Sequence, residues 1–173
     1  MTASAAQHHP GCSARRFEVG DRVVHPHHGA GVVVGRGRQQ IYGVDRDYLE
    51  IELTEGSLRI MIPSDAVDLI GLRPVVDRER MRLIVSVLES EREVVGTNWS
   101  QRRKLYLAKL KSGDVLDLAA VVRDLGRGAA AVELSAGERE LYERSRRILA
   151  SELRYVLGVD AERAATYIDE HVG

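Results

Sequence analysis

The sequence predicts an α+β protein. A small, strongly bent β sheet or barrel occupies the first third, and an all-helical domain follows. Three observations carry this. Apolar and polar residues alternate in short β-branched runs between positions 22 and 62. After Pro63 the apolar spacing changes to that of a helix. Helix start and stop signals then recur through the back hundred residues. At 173 residues and 44% apolar content, the chain has room for one domain or two small ones, and enough apolar side chains to bury a core.

Residues 1–16 are polar with no apolar run, so they read as a disordered lead-in rather than a signal or transit peptide. No stretch approaches the roughly 18 apolar residues of a membrane helix, and a cytoplasmic location follows by default. The single cysteine, Cys12, allows no internal disulfide.

The first strands are Arg22-Val23-Val24-His25 and Gly31-Val32-Val33-Val34-Gly35, separated by Pro26 and glycines. Asp47-Tyr48-Leu49-Glu50-Ile51-Glu52-Leu53 alternates as a half-buried strand does. Glu55-Gly56 turns the chain into Leu58-Arg59-Ile60-Met61-Ile62, closed by Pro63. Gly35-Arg36-Gly37-Arg38 resembles half a phosphate loop, but it is expected between strands with no helix after it. A small sheet of this kind leaves edge strands open to a partner.

The helical part is expected to begin near Gly71 to Pro74. Asp77 caps a first helix that buries Met81, Ile84, Val85 and Leu88 on one face. A loop over 91–96 precedes Asn98, an N-cap with Gln101 three residues on. That helix turns Tyr106, Leu107 and Leu110 inward. Ser112 is expected to cap the next, with the stripe Val115, Leu118, Ala119, Val122 and Leu125, broken by Gly126 and Gly128. Ser135 and Glu138 form a capping box for a long helix that carries Leu141, Ile148, Leu149, Val156 and Leu157 inward and ends at Gly158. A last helix covers 161–170. This divides the chain into a tail (1–16), a β domain (17–72) and a helical domain (73–173).

Charge is uneven along the chain. Between 17 and 72, five arginines face nine carboxylates. Between 99 and 111, five cations occur with no acid. The basic stretch begins at the one tryptophan, in Thr97-Asn98-Trp99-Ser100-Gln101-Arg102-Arg103-Lys104. Trp99 falls at the first turn of its helix, outside the apolar stripe. It can pack on a neighbouring helix or project as a wedge, and Arg102, Arg103 and Lys104 favour the wedge. Cations attract phosphates, and an inserted apolar ring deforms a duplex. Arg139, Arg144, Arg146 and Arg147 can extend the basic patch, although Arg144 and Arg147 also have carboxylates four residues back, at Glu140 and Glu143.

Other chemistries find no support. His25, His27 and His28 lack a carboxylate or cysteine at ligand spacing, and the adjacent pair points its rings apart. His8, His9 and Cys12 lie in the tail. No metal or cofactor is expected. No nucleophile elbow, P-loop or zinc-protease motif occurs, so the protein is not expected to be an enzyme.

With these residues in view the chain resembles the CarD/CdnL family of bacterial transcription regulators. The resemblance is carried by Phe17-Glu18-Val19-Gly20-Asp21-Arg22-Val23-Val24-His25-Pro26-His27-His28-Gly29-Ala30, Thr97-Asn98-Trp99-Ser100, Ser112-Gly113-Asp114-Val115, Val121-Val122-Arg123-Asp124-Leu125 and Leu134-Ser135-Ala136-Gly137-Glu138. It implies a Tudor-like β domain that docks on the β subunit of RNA polymerase. It also implies a helical domain on promoter DNA at the upstream edge of the transcription bubble. There the residue matching Trp99 wedges into the minor groove and stabilises the open complex. Residues matching Thr97, Asn98, Arg102, Arg103, Lys104 and Arg139 would form the DNA-binding site. The implied protein is a cytoplasmic monomer, associated with the nucleoid through polymerase, with no membrane partner.

One departure stands out. Where family members often place polymerase-contacting arginines, this chain has Gln39 and Met61. Arg38 and Arg59 are near; Arg59 keeps the strand face of Met61, whereas Arg38 does not keep that of Gln39. The polymerase site would therefore comprise Arg38, Gln39, Arg59 and Met61. The alternative is a DNA-binding architectural protein without direct polymerase contact.

Overall fold

Valines and isoleucines at alternate positions fold the front of the chain into one antiparallel sheet. The structure is a computed structural model that describes residues 17–41, 43–54, 58–93, 98–131 and 134–173. The expected tail, the Glu55-Gly56 turn and Thr97 lie outside these residues. The strands are β1 (Arg22–His25), β2 (Gly29–Ile41), β3 (Val44–Leu53), β4 (Arg59–Pro63) and β5 (Arg73–Pro74), in the order β4-β3-β2-β1-β5. A short helix, α1 (Val67–Ile70), joins β4 to β5. Phe17, Val23, Val33, Leu49, Ile51, Leu53, Ile62, Val67 and Leu72 make the core of this part.

Two expectations about the sheet are corrected. Gly35-Arg36-Gly37-Arg38 lies inside β2, not between strands. A register shift between Val33 and Gly35 lets β2 continue, and the Glu50 carboxylate would lie 2.9 Å from any β-carbon at Gly35. Arg73 and Pro74, expected at the junction with the helical part, form β5 and pair with Val24 and Val23. Pro74 fits there because an edge strand asks no ladder donor of it.

The helices are α2 (Arg78–Glu89), α3 (Trp99–Ser112), α4 (Val115–Ala131), α5 (Ala136–Leu157) and α6 (Ala161–Val172). Asp77, Asn98, Ser135 and Asp160 each accept a backbone N–H at a helix start, and Ser135 with Glu138 closes a full capping box. The expected cap at Ser112 moves to Asp114. Ser112 ends α3, and the Asp114 carboxylate accepts the Leu116 N–H at 2.9 Å. Gly126 and Gly128 do not end α4, which runs on to Ala131. Gly126 serves packing instead: a β-carbon there would lie 2.7 Å from Val172 Cγ1 and 3.2 Å from the Tyr142 ring. The predicted stripe of α4 is buried as expected: Val115, Leu118, Ala119 and Val122 join Ile84, Leu88, Leu149, Leu153 and Ile168 in the main core, and Leu125 packs with Tyr106, Val121 and Leu141.

The C-terminal half of α5 lies against the sheet. The Ser151 hydroxyl accepts the Ala30 N–H at 2.9 Å, and Thr54 and Tyr155 share a hydroxyl hydrogen bond at 2.6 Å. Arg73 reaches the fully buried Glu152 with both terminal nitrogens, at 2.5 and 2.8 Å, and the Val76 N–H adds a third bond at 3.0 Å. Arg22 stacks over the Tyr155 ring at 5.0 Å.

Candidate nucleic-acid interface

Trp99 occupies the first position of α3, immediately after its cap. The indole is half-buried. Its inner side rests on the cluster of Tyr106, Val121, Leu125 and Leu141. One edge crosses the first turn of α5, where a β-carbon at Gly137 would lie 3.4 Å from Cζ2 and 3.6 Å from Nε1. Of the two readings the sequence leaves open, the packing of Trp99 on its own helices is seen on one side of the ring. The ring is seated on its own protein, and the remainder of its surface faces outward. The N-termini of α3 and α5, each a positive dipole end, meet at this ring.

The basic stretch divides. Arg102 is committed inward, donating to Glu138 Oε1 at 2.7 Å. Glu138 is buried, which opposes its charge, but the bonds from Arg102 and Ser135 prevail and hold its carboxyl below the usual range. Lys109 pairs with Glu93 at 3.0 Å. Arg103 and Lys104 are exposed beside Trp99, and Lys111 is exposed at the far end of α3. Arg139 is exposed on the first turn of α5. Asn98 is exposed with its side chain engaged as the cap, accepting the Gln101 N–H at 3.0 Å.

Sequence periodicity missed the support beneath this site. Arg123 and Asp124 are buried on α4, bonded to one another at 2.7 Å. Arg123 also donates to Ser90 Oγ at 2.7 Å, and Asp124 accepts the Glu93 N–H at 3.1 Å. The pair thus ties down the chain that leads from α2 towards Trp99. The available signal was an adjacent Arg-Asp pair set into an otherwise apolar stripe, where unpaired charge would be costly.

On the sheet, cross-strand register places Gln39, Arg46, Glu50, Arg59 and Met61 on one face, and Arg38 with Asp47 on the other. Arg38 pairs with Asp47 at 3.3 Å, both well exposed. Arg59 is held between Glu52 at 3.3 Å and Glu50 at 3.2 Å, and both carboxylates favour its charged form. Met61 is exposed on β4, an edge strand. The Trp99 group and the Arg59–Met61 group lie on different parts of the molecule, with α5 between the bundle and the sheet.

Among the described residues, no group of three or more His, Cys, Asp or Glu side chains is close enough to hold a metal ion, and no helix is long and apolar enough to cross a membrane.

The chain matches the CarD-like/TRCF RID domain over residues 17–76 and the CarD C-terminal domain over residues 83–169, in that order. It belongs to the CarD/CdnL family of bacterial transcription regulators, which is not a family of enzymes. It is 27% identical over 151 residues to the putative transcription factor YdeB of Bacillus subtilis, spanning 87% of this chain and 99% of that one. It is also similar to the solution structure of the 72-residue N-terminal domain of Myxococcus xanthus CarD. That match has 31% identity, covers 40% of this chain and 93% of the other, and has a TM-score of 0.31.

Proposed function

We propose that this regulator docks on the β subunit of RNA polymerase through its sheet and places Trp99 in the minor groove at the upstream edge of the promoter bubble, stabilising the open complex. The observation that carries this is the half-buried indole at the meeting of two helix N-termini, with Arg103 and Lys104 exposed about one turn further along α3. A ring already supported on one side can enter a base step without reorganising. At a bubble edge the few kcal/mol of unstacking have already been spent in melting, so the ring favours the open state over the closed one. Arg103, Lys104 and Arg139 contact the phosphate backbone, together with Thr97 and Asn98 at the entry to α3. Arg102 acts from behind through Glu138. Docking raises the local concentration, so modest DNA affinity is enough. Arg38, Gln39, Arg59 and Met61 form the polymerase surface with the β4 edge. The protein works as a cytoplasmic monomer, reaching the nucleoid through polymerase.

The test is open-complex lifetime on a linear promoter with Trp99→Ala. The variant keeps its fold and its polymerase binding but loses the extension of lifetime. An unfolded variant, or an unchanged lifetime, overturns the reading.

One observation favours a second reading, an architectural DNA-binding protein without direct polymerase contact. The Arg59 charge is occupied by Glu50 and Glu52. A pull-down of core polymerase at low salt separates the two: retention supports docking, and its absence supports the architectural role.

A further inference from the structure

Away from Trp99, the turn between β1 and β2 faces α5 across a cavity of about 170 Å³, lined by His27, His28, Arg144, Arg147, Ser151 and the apolar trio Leu53, Leu58 and Ile148. Four of these side chains are basic, and none of the described lining residues is an acid. This contrasts with the surrounding sheet part, which is acidic overall. Arg144 does not close the expected pair with Glu140. Its guanidinium lies 3.2 Å from His27 Nδ1. An arginine can only donate, so His27 accepts at Nδ1 and its neutral ring keeps a proton on Nε2. The His27 backbone N–H donates to His25 Nδ1 at 3.1 Å, which fixes His25 in the same tautomer. The His25 ring stands 4.6 Å from that of His28.

The cavity wall is rigid. Gly29 has φ +81, and a β-carbon there would meet Ser151 Oγ at 2.5 Å, so the turn sits directly on α5. The Ala30 N–H bond to Ser151 secures it. The result is a preformed recess in which a guanidinium faces an imidazole rather than a carboxylate, with imidazole and hydroxyl groups around it. For Arg144 and His27, a tetrahedral oxyanion brings several acceptor oxygens and a negative charge that none of the described lining residues supplies.

We propose that this recess binds a phosphate group. Arg144 and His27 are its principal donors, and His28 is the next. Along α5, Arg144 lies seven residues beyond Gly137, the residue under Trp99. That is about 10.5 Å along the axis and nearly in line on one helix face. The phosphate can therefore come from the backbone of the DNA that Trp99 enters, or from a free phosphate compound. The site itself does not depend on the wedge reading.

The test uses the full chain with inorganic pyrophosphate as probe, following histidine ring resonances by NMR and heat by calorimetry. Saturable binding that shifts His27 and His28 is expected. Arg144→Ala should weaken it about tenfold or more, and Arg144→Lys should retain part of it. Arg144 is exposed, so both variants should fold, which circular dichroism checks. Absence of saturable binding, or unchanged affinity in Arg144→Ala, overturns the proposal. A short duplex then identifies the source. If Arg144→Ala lowers the salt slope of DNA binding by about 0.9, the phosphate belongs to DNA. If the slope is unchanged while pyrophosphate binding is lost, the site takes a free phosphate compound. Trp99→Ala should leave pyrophosphate binding intact, so loss of wedge function and loss of this site are read separately.

Discussion

Replacing Arg73 with alanine should destabilise the protein by about 3 kcal/mol. Glu152 has no solvent exposure and receives three donors, two of them from Arg73. Without Arg73, its carboxylate keeps only the Val76 N–H. Removing one partner of a buried pair costs about 3–5 kcal/mol, because the other charge is left uncompensated. The lower end applies because the Arg73 side chain retains 25% exposure and water can enter the space it leaves. Arg73 also donates to the Gly113 carbonyl at 3.1 Å, a further bond lost. Urea unfolding at pH 7 of Arg73→Ala, Glu152→Gln and the double variant Arg73→Met/Glu152→Leu measures this. The apolar double variant should lose less than Arg73→Ala alone, since it strands no charge. A cost below about 1 kcal/mol for Arg73→Ala, or an apolar double variant that loses as much as Arg73→Ala, would refute the claim that this pair is buried and coupled.

Three further outcomes follow from the same geometry. Gly126→Ala should destabilise by about 1 kcal/mol in thermal melts: a gain of about 1 kcal/mol in helix propensity is outweighed by overpacking against Val172 and Tyr142. Arg102→Ala should leave secondary structure unchanged but shift the Trp99 fluorescence maximum and shorten open-complex lifetime, because the first turns of α3 and α5 lose their shared ion pair; unchanged fluorescence would show that Arg102 does not hold the indole in place. His25 has its pKa lowered to about 4 by burial and then by His28 and His27. The unfolded chain therefore binds the proton more readily, and stability should fall as pH drops from about 6.5 towards about 4. Urea midpoints at pH 7 and pH 5 should differ less in His25→Gln than in the wild type.

The sequence disclosed most of the elements, since period-2 and period-3.6 patterns report burial directly. Spacing alone places Ile84, Leu88, Val115, Leu118 and Val122 in the core, and all are buried. Glycine was the weak point. Gly126 in a helix and Gly35 in a strand read as breaks, because a missing side chain looks the same whether it frees the backbone or admits a neighbour. Only the neighbours, Val172 and Glu50, distinguish the cases. The fate of charges was equally hidden. Arg102 and Arg103 are adjacent and chemically identical, yet one meets Glu138 and the other stays exposed. That partner lies 36 residues away, beyond the reach of any local pattern. The Arg73–Glu152 contact, 79 residues apart, was invisible for the same reason.

The unbroken run of α5 makes it a ruler. Gly137 sits beneath the indole near one end, and Ser151 holds the sheet near the other, with fourteen residues or about 21 Å between them. Deleting one residue in that interval would swing the sheet by about 100° relative to the tryptophan, whereas deleting seven would nearly restore the phase and shorten the gauge by about 10 Å. Under the proposed function, this helix sets a fixed offset between whatever the sheet grips and the step the ring enters.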